Sequence, residues 1–232
     1  MKDIILIATI KDWNINNFYE FKKKFEDKYN LYLITNKDDL IYQNVKDLNP
    51  KYIFFPHWSW LIPNEIYKNY ECILFHMTDL PYGRGGSPLQ NLITNKIYNT
   101  KISAIKVTKE LDEGDIYLKE NFDISKGSAR EIYENASNLI FSELIPKIIE
   151  NNLIPTKQAG EIVIFKRRTP EQSNIKTLND ISMNNLYDFI RMLDAPSYPK
   201  AYIELDNLKI ELSEVIIKDG KLEGRFEVSK DE

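Results

Sequence analysis

The chain has 232 residues, 43% of them hydrophobic and 28% charged, the composition of an ordinary globular protein long enough to bury a sizeable core. Lys and Arg number 31 against 35 for Asp and Glu, a net charge of −4. That balance argues against a protein that grips nucleic acid mainly through electrostatics.

The first strand begins almost at once, at Ile4–Ile10, a continuous apolar run of the kind expected for a parallel strand covered on both faces. With no signal-like segment before it and no membrane-length apolar stretch after it, we expect a cytoplasmic protein with no membrane span. Asp12 can cap a helix carrying Phe18, Phe21 and Phe25, whose spacing of three and four makes one apolar face. Further strands are expected at Leu31–Thr35, Tyr52–Phe55 and Cys72–Phe75, with a short helix over Pro63–Asn69 between the last two. Cys72 is the only cysteine, which excludes an internal disulfide, and its apolar setting reads as a buried inert thiol. A helix starts at Ser87 or Pro88, and strands follow at Ile102–Val107 and Asp115–Leu118. Ser128 with Glu131 forms a capping box ahead of a helix whose inner face holds Ile132, Ala136, Leu139 and Ile140. The alternation predicts an α/β fold with an open, mainly parallel sheet and helices on both faces.

Beyond about Asn151 the pattern changes. Glu161–Arg168 reads as a strand ending in three cations, Thr169–Asp180 as a polar loop, and Leu186–Leu193 as a short helix. Strands at Tyr202–Leu205, Leu208–Ile217 and Leu222–Val228, the last two joined by an Asp219-Gly220 turn, form a small β-rich C-terminal subdomain. The expected division is a domain over 1–175 and a subdomain over 176–232. These apolar strands could pack within one chain or pair with a second copy, which leaves a homodimer open.

Chemistry is expected where ligands bind in such sheets, beyond the carboxyl ends of the strands. The chain has two histidines, His57 and His76, and each directly follows a predicted strand. Either is a structural hydrogen-bonded residue or a group able to exchange a proton near neutrality. After His76 comes LPYGRGGSPLQN, in which Gly83, Gly85 and Gly86 carry no side-chain bulk and leave the backbone open to close approach. A second segment, ELDEGDI over Glu110–Ile116, sets Asp112, Glu113 and Asp115 around Gly114. It is either a plain acidic turn or the carboxylate that orients an imidazole. Trp13 and Asn14, after the first strand, and Trp58 could meet a base or a sugar, or could pack in the core.

His76 with its Leu-Pro and glycine loop, then the LDEGDI segment, resembles the folate-dependent formyltransferases. The likeness runs from the first strand to roughly Ile175. It implies a Rossmann-like sheet, His76 as catalytic histidine and Asp112 as its partner. It also implies 10-formyltetrahydrofolate as donor, held by Leu111, Glu113, Gly114, Gly83, Gly85 and Gly86, and no metal. One departure stands out: the family's asparagine two residues before the histidine is here Leu74. The replacement donor is expected to be His57, Asn91 or protonated His76 itself.

Several stretches, PYGRGGSPLQN, FKRRTPEQSNI and LYDFIRMLDAPSYPKAYIE, resemble the branch that formylates nucleotide-linked amino sugars of surface polysaccharides, with a 4-amino-4,6-dideoxyhexose as acceptor. Part of the last also resembles the linker of methionyl-tRNA formyltransferase. The acidic charge, the absence of a basic stripe and the length favour the sugar. Tyr82, Arg84, Lys166, Arg167 and Arg168 are then candidate acceptor ligands, the last three either on a diphosphate or as a solvated strand end. Formylation of methionyl-tRNA or glycinamide ribonucleotide, or a non-catalytic nucleotide-binding module, are the alternatives.

Overall fold

The computed structural model describes residues 2–230. It divides into two compact units that interleave along the chain, one of residues 1–84, 101–122 and 134–164, the other of residues 85–100, 123–133 and 165–232.

The first unit is built on a sheet of six strands. They are β1 (Ile4–Ala8), β2 (Asn30–Ile34), β3 (Tyr52–Phe55), β4 (Cys72–His76), β6 (Asn99–Lys106) and β7 (Ile116–Asp123), in the order β2-β1-β3-β4-β6-β7. The first four run parallel, as their unbroken apolar sequences predict. Helices α1 (Asp12–Phe25), α2 (Tyr42–Leu48) and α3 (Asn64–Asn69) connect them. Leu6, Ile53, Phe55 and Cys72 pack on one face against Val45 of α2 and Ile66 of α3. The alternate residues Ile5, Ile7, Phe54 and Ile73 are equally buried, so both faces are covered. Fully burying one such side chain contributes about 1.5–3 kcal/mol.

Three local expectations shift. Helix α1 is capped by Lys11, and Asp12 is its first residue, accepting a hydrogen bond from the Trp13 N–H. Helix α2, unforeseen in a polar stretch, earns its place through Val45. Strand β6 runs antiparallel to β4, pairing His76 with Ser103 and Ile73 with Lys106. Its end therefore lies at the opposite edge from His76, where the Val107 N–H donates to the Cys72 carbonyl.

Strand β5 (Tyr82–Gly85) follows β4, and α4 (Pro88–Thr94) begins the second unit. Helix α5 (Ala129–Leu139) opens with the expected capping box: Glu131 accepts from the Ser128 N–H, and the Ser128 hydroxyl accepts from the Glu131 N–H. It continues through a π-helical turn, Ile140–Leu144, into α6 (Ile145–Asn151). The predicted strand Glu161–Arg168 contracts to β8 (Val163–Phe165), because Ile162 and Ile164 are exposed and only Phe165 is buried. Helix α7 (Met183–Arg191) precedes an antiparallel sheet of β9 (Ala201–Leu205), β10 (Leu208–Lys218) and β11 (Lys221–Lys230). Asp219 and Gly220 both take positive φ, the conformation a tight two-residue hairpin demands. Among the described residues no helix is long and apolar enough to cross a membrane.

Candidate active site

His76 ends β4 with both ring nitrogens engaged. Nε2 lies 2.7 Å from the Gly83 carbonyl, and Nδ1 lies 3.6 Å from Asp112 Oδ1. A carbonyl can only accept, so Nε2 carries a hydrogen. Nδ1 then faces a carboxylate, an arrangement that is attractive only with a proton between the two groups. Both residues are 7% exposed, so the pair sits largely out of water.

Asp112 reaches the ring by an indirect route. Because β6 delivers the chain to the far edge of β4, the acidic loop must fold back to bring Asp112 to the imidazole. The reversal uses a left-handed conformation at Asp112, with φ +56°, and a close return past β6 at Gly114. A Cβ added at Gly114 would stand 1.7 Å from the Lys106 carbonyl oxygen. The loop is then pinned. Gln158 Nε2 donates to the Asp112 carbonyl at 2.8 Å and to the Gly114 carbonyl at 2.9 Å. Gln158 Oε1 accepts from Arg84 Nε at 3.1 Å and Nη2 at 2.9 Å, while Arg84 Nη1 pairs with Glu113 at 3.0 Å.

Several expected ligands have polar groups engaged within the protein. Arg84 is only 8% exposed, with its guanidinium engaged by Gln158 and Glu113. Asn91 donates its amide hydrogens to the carbonyls of Gly86, Ser87 and Lys166, which ties a loop together. Asn14 is 1% exposed and donates to Thr9 and the Pro56 carbonyl. Trp13 is 6% exposed and offers no open face for stacking. Gly86 is small for packing, since a Cβ there would lie 2.6 Å from Arg167 Cα; Gly83 and Gly85 take positive φ. Arg168 is half-buried, its guanidinium over the Phe189 ring and donating to the Gln172 carbonyl. Lys166 and Arg167 remain exposed, Tyr82 is half-buried, and Leu111 stands 65% exposed at the front of the acidic loop. Trp58 packs edge-on against Phe55 and Trp60. Leu74 leans on the apolar cluster of Phe55 and Val107 and offers no donor.

His57 follows β3 with φ +51° and its ring 5.6 Å from Trp13. Burial, with the Lys11 ammonium adding to it, pushes its pKa from 6.5 down to about 3. It is therefore a neutral imidazole at physiological pH, able to donate one hydrogen without bringing charge. The unfolded chain binds a proton here near pH 6.5 and the folded chain does not until about 3. Stability should therefore fall as pH drops through that window, and His57→Gln should flatten the decline in a pH series of urea melts.

Gln158 was invisible to sequence reasoning. It stands in a run without periodicity, TKQAGEI, and only the folded contacts give it meaning.

Known proteins supply a context for this geometry. The family model "Methionyl-tRNA formyltransferase, C-terminal domain" matches residues 170–229. A curated methionyl-tRNA formyltransferase of Campylobacter jejuni is 25% identical over 198 residues, and the match spans 64% of that protein's length and 84% of this chain. A solved structure of a 4-N formyltransferase from Francisella tularensis, 19% identical with a TM-score of 0.64 over 88% of this chain and 93% of that one, shares the fold. Much nearer is the structure of a methionyl-tRNA formyltransferase from Clostridium thermocellum, 50% identical with a TM-score of 0.94, covering 98% of this chain and 99% of that one. Half the residues shared over nearly the whole of both chains is decisive: this chain belongs to the folate-dependent formyltransferase family.

Proposed function

We propose that the protein transfers a formyl group from 10-formyltetrahydrofolate to the primary amine of a nucleotide-linked amino sugar, of the 4-amino-4,6-dideoxyhexose type. The transfer rests on one observation, the largely buried His76–Asp112 pair held at 3.6 Å by a pinned loop. When bound, 10-formyltetrahydrofolate supplies a formyl carbon open to attack by an amine. The residues present fit such a donor. Leu111 gives an exposed apolar surface to a flat heterocycle, on a loop whose Asp112 and Gly114 carbonyls are already held by Gln158.

The protein's own part is to place hydrogens. His76 Nε2–H serves the oxygen that gains negative charge as the amine adds, once that hydrogen is shared with or turned from the Gly83 carbonyl. Asp112 keeps the imidazole oriented and stabilises its positive charge, and the pair relays the proton that the amine gives up to the nitrogen released when the donor's formyl–nitrogen bond breaks. For the hydrogen-bond donor missing at Leu74 we favour His57 over Asn91, whose amide is engaged by loop carbonyls, with protonated His76 itself as the alternative.

The acceptor is argued from charge. On the C-terminal sheet, Lys209, Lys218, Lys221, Arg225 and Lys230 are outnumbered by Glu204, Asp206, Glu211, Glu214, Asp219, Glu223 and Glu227. That surface suits a small acceptor better than tRNA, whose backbone calls for a basic surplus. The exposed Lys166 and Arg167 supply cations for a diphosphate. A second reading, methionyl-tRNA as acceptor, is favoured by what the Clostridium and Campylobacter proteins are named for.

Absorbance on conversion of 10-formyltetrahydrofolate to tetrahydrofolate, followed with amino-sugar nucleotides, methionyl-tRNA and glycinamide ribonucleotide in parallel, separates the readings. We expect turnover with an amino-sugar nucleotide and none with the tRNA. Efficient formylation of the tRNA, weakening steeply with added salt, would select the second reading.

A further inference from the structure

We propose that Gln158 is a positioning residue for formyl transfer, closing a ring of contacts that sets Asp112 against His76. The proposal deepens the formyl-transfer reading and rests on it for its kinetics. Starting at the imidazole, Nε2 meets the Gly83 carbonyl at 2.7 Å. The next residue, Arg84, gives two hydrogen bonds to Gln158 Oε1. Gln158 Nε2 holds the Asp112 carbonyl at 2.8 Å, and Asp112 Oδ1 returns to His76 Nδ1 at 3.6 Å. Each member is thus located by two neighbours.

The ring is needed because the acidic loop starts from the wrong edge. A loop that folds back across β4, with a non-glycine residue in left-handed backbone, keeps that shape only when its surroundings enforce it. Gln158 is the one member that both accepts and donates. Its carbonyl end takes two guanidinium hydrogens and its amide end gives hydrogens to two loop carbonyls. No other side-chain type of that length does both: glutamate keeps Arg84 and loses the loop, and alanine loses both. The charged groups around the imidazole in this ring are Asp112, then Arg84 and Glu113 behind it.

The chain has two histidines, so the ring resonances of His76 can be followed by NMR once His57→Gln assigns the other. In the full chain, Gln158→Ala and Gln158→Glu are expected to move the His76 resonances while the melting temperature stays close to wild type. Both should lower kcat by roughly 10- to 100-fold, the scale of a small misplacement of reacting groups, with KM for the acceptor little changed. If Gln158 acts through Asp112, adding Gln158→Ala to Asp112→Asn should cost no more than Asp112→Asn alone. Unmoved His76 resonances with wild-type kcat in both variants, or losses that multiply in the double variant, would overturn the proposal. Should the wild type formylate no amine, the formyl-transfer reading fails. The His76 resonances would then still decide whether Gln158 holds the pair.

Discussion

The His76→Ala variant is expected to form formylated product roughly 10²–10⁴ times more slowly than wild type at saturating acceptor, the range spanned by loss of a positioned acid–base group. Its effect should fall on kcat, because the imidazole serves charge that appears only as the amine adds. Asp112→Asn should cost about 10²-fold, since the amide cannot stabilise the imidazolium and the ring loses its orientation. His57→Ala tests the donor missing at Leu74, and a loss of 10²–10³-fold would mark it as the replacement. Rapid-quench measurement of kcat on folded protein decides the matter. Wild-type turnover by His76→Ala would remove the imidazole from the chemistry altogether.

The second large effect concerns stability. Arg191 is 1% exposed, and two of its three guanidinium nitrogens find partners while Nη2 is buried without a hydrogen bond. Its Nε donates to Asp188 at 2.8 Å, its Nη1 to the carbonyls of Ile124 and Gly127 at 3.0 Å, and its guanidinium lies over the Tyr187 ring. Asp188 also accepts from Tyr98 at 2.6 Å and from Lys96 at 3.0 Å. Arg191→Met should destabilise the protein by about 3–5 kcal/mol, the range for stranding one partner of a buried pair. The melting temperature should then drop by about 10 °C. Removing Asp188 as well should recover part of the loss, because no buried charge is left alone. Burial alone would raise the Asp188 pKa, but the hydrogen bonds from Tyr98, Lys96 and Arg191 outweigh it and hold it below 3.8. The network is therefore at full strength above that value and weakens as pH falls through the lowered folded pKa. An Arg191→Met protein as stable as wild type by calorimetry would show that these contacts contribute nothing net.

The sheet was legible because burial leaves a plain signature. The runs Ile4–Ala8, Tyr52–Phe55 and Cys72–Phe75 are apolar without alternation, which a strand covered on both faces requires. The Ser128–Glu131 cap and the Asp219-Gly220 turn were legible because local chemistry alone fixes them. The direction of β6 was not, since an apolar strand reads the same both ways. That one ambiguity hid how Asp112 approaches His76. The contacts of Arg84 and Asn91 were hidden for a related reason. A polar side chain beside a glycine loop looks ready for a ligand in one dimension, and only the fold shows that loop carbonyls and Gln158 already occupy it. The His76 and Asp112 segments stood out through resemblance, whereas Gln158, 46 residues beyond Asp112, had no local pattern to betray it.

The late position of Gln158 bears on how the protein comes into being. Synthesis proceeds from the amino terminus, and the parallel strands together with β6 and β7 emerge well before residue 158. A nascent chain halted near Asn151 would own every strand of its main sheet, both histidines and the acidic loop, but not the amide that fastens that loop. Competence should thus be switched on by the arrival of a short irregular segment, after the scaffold around it has already set.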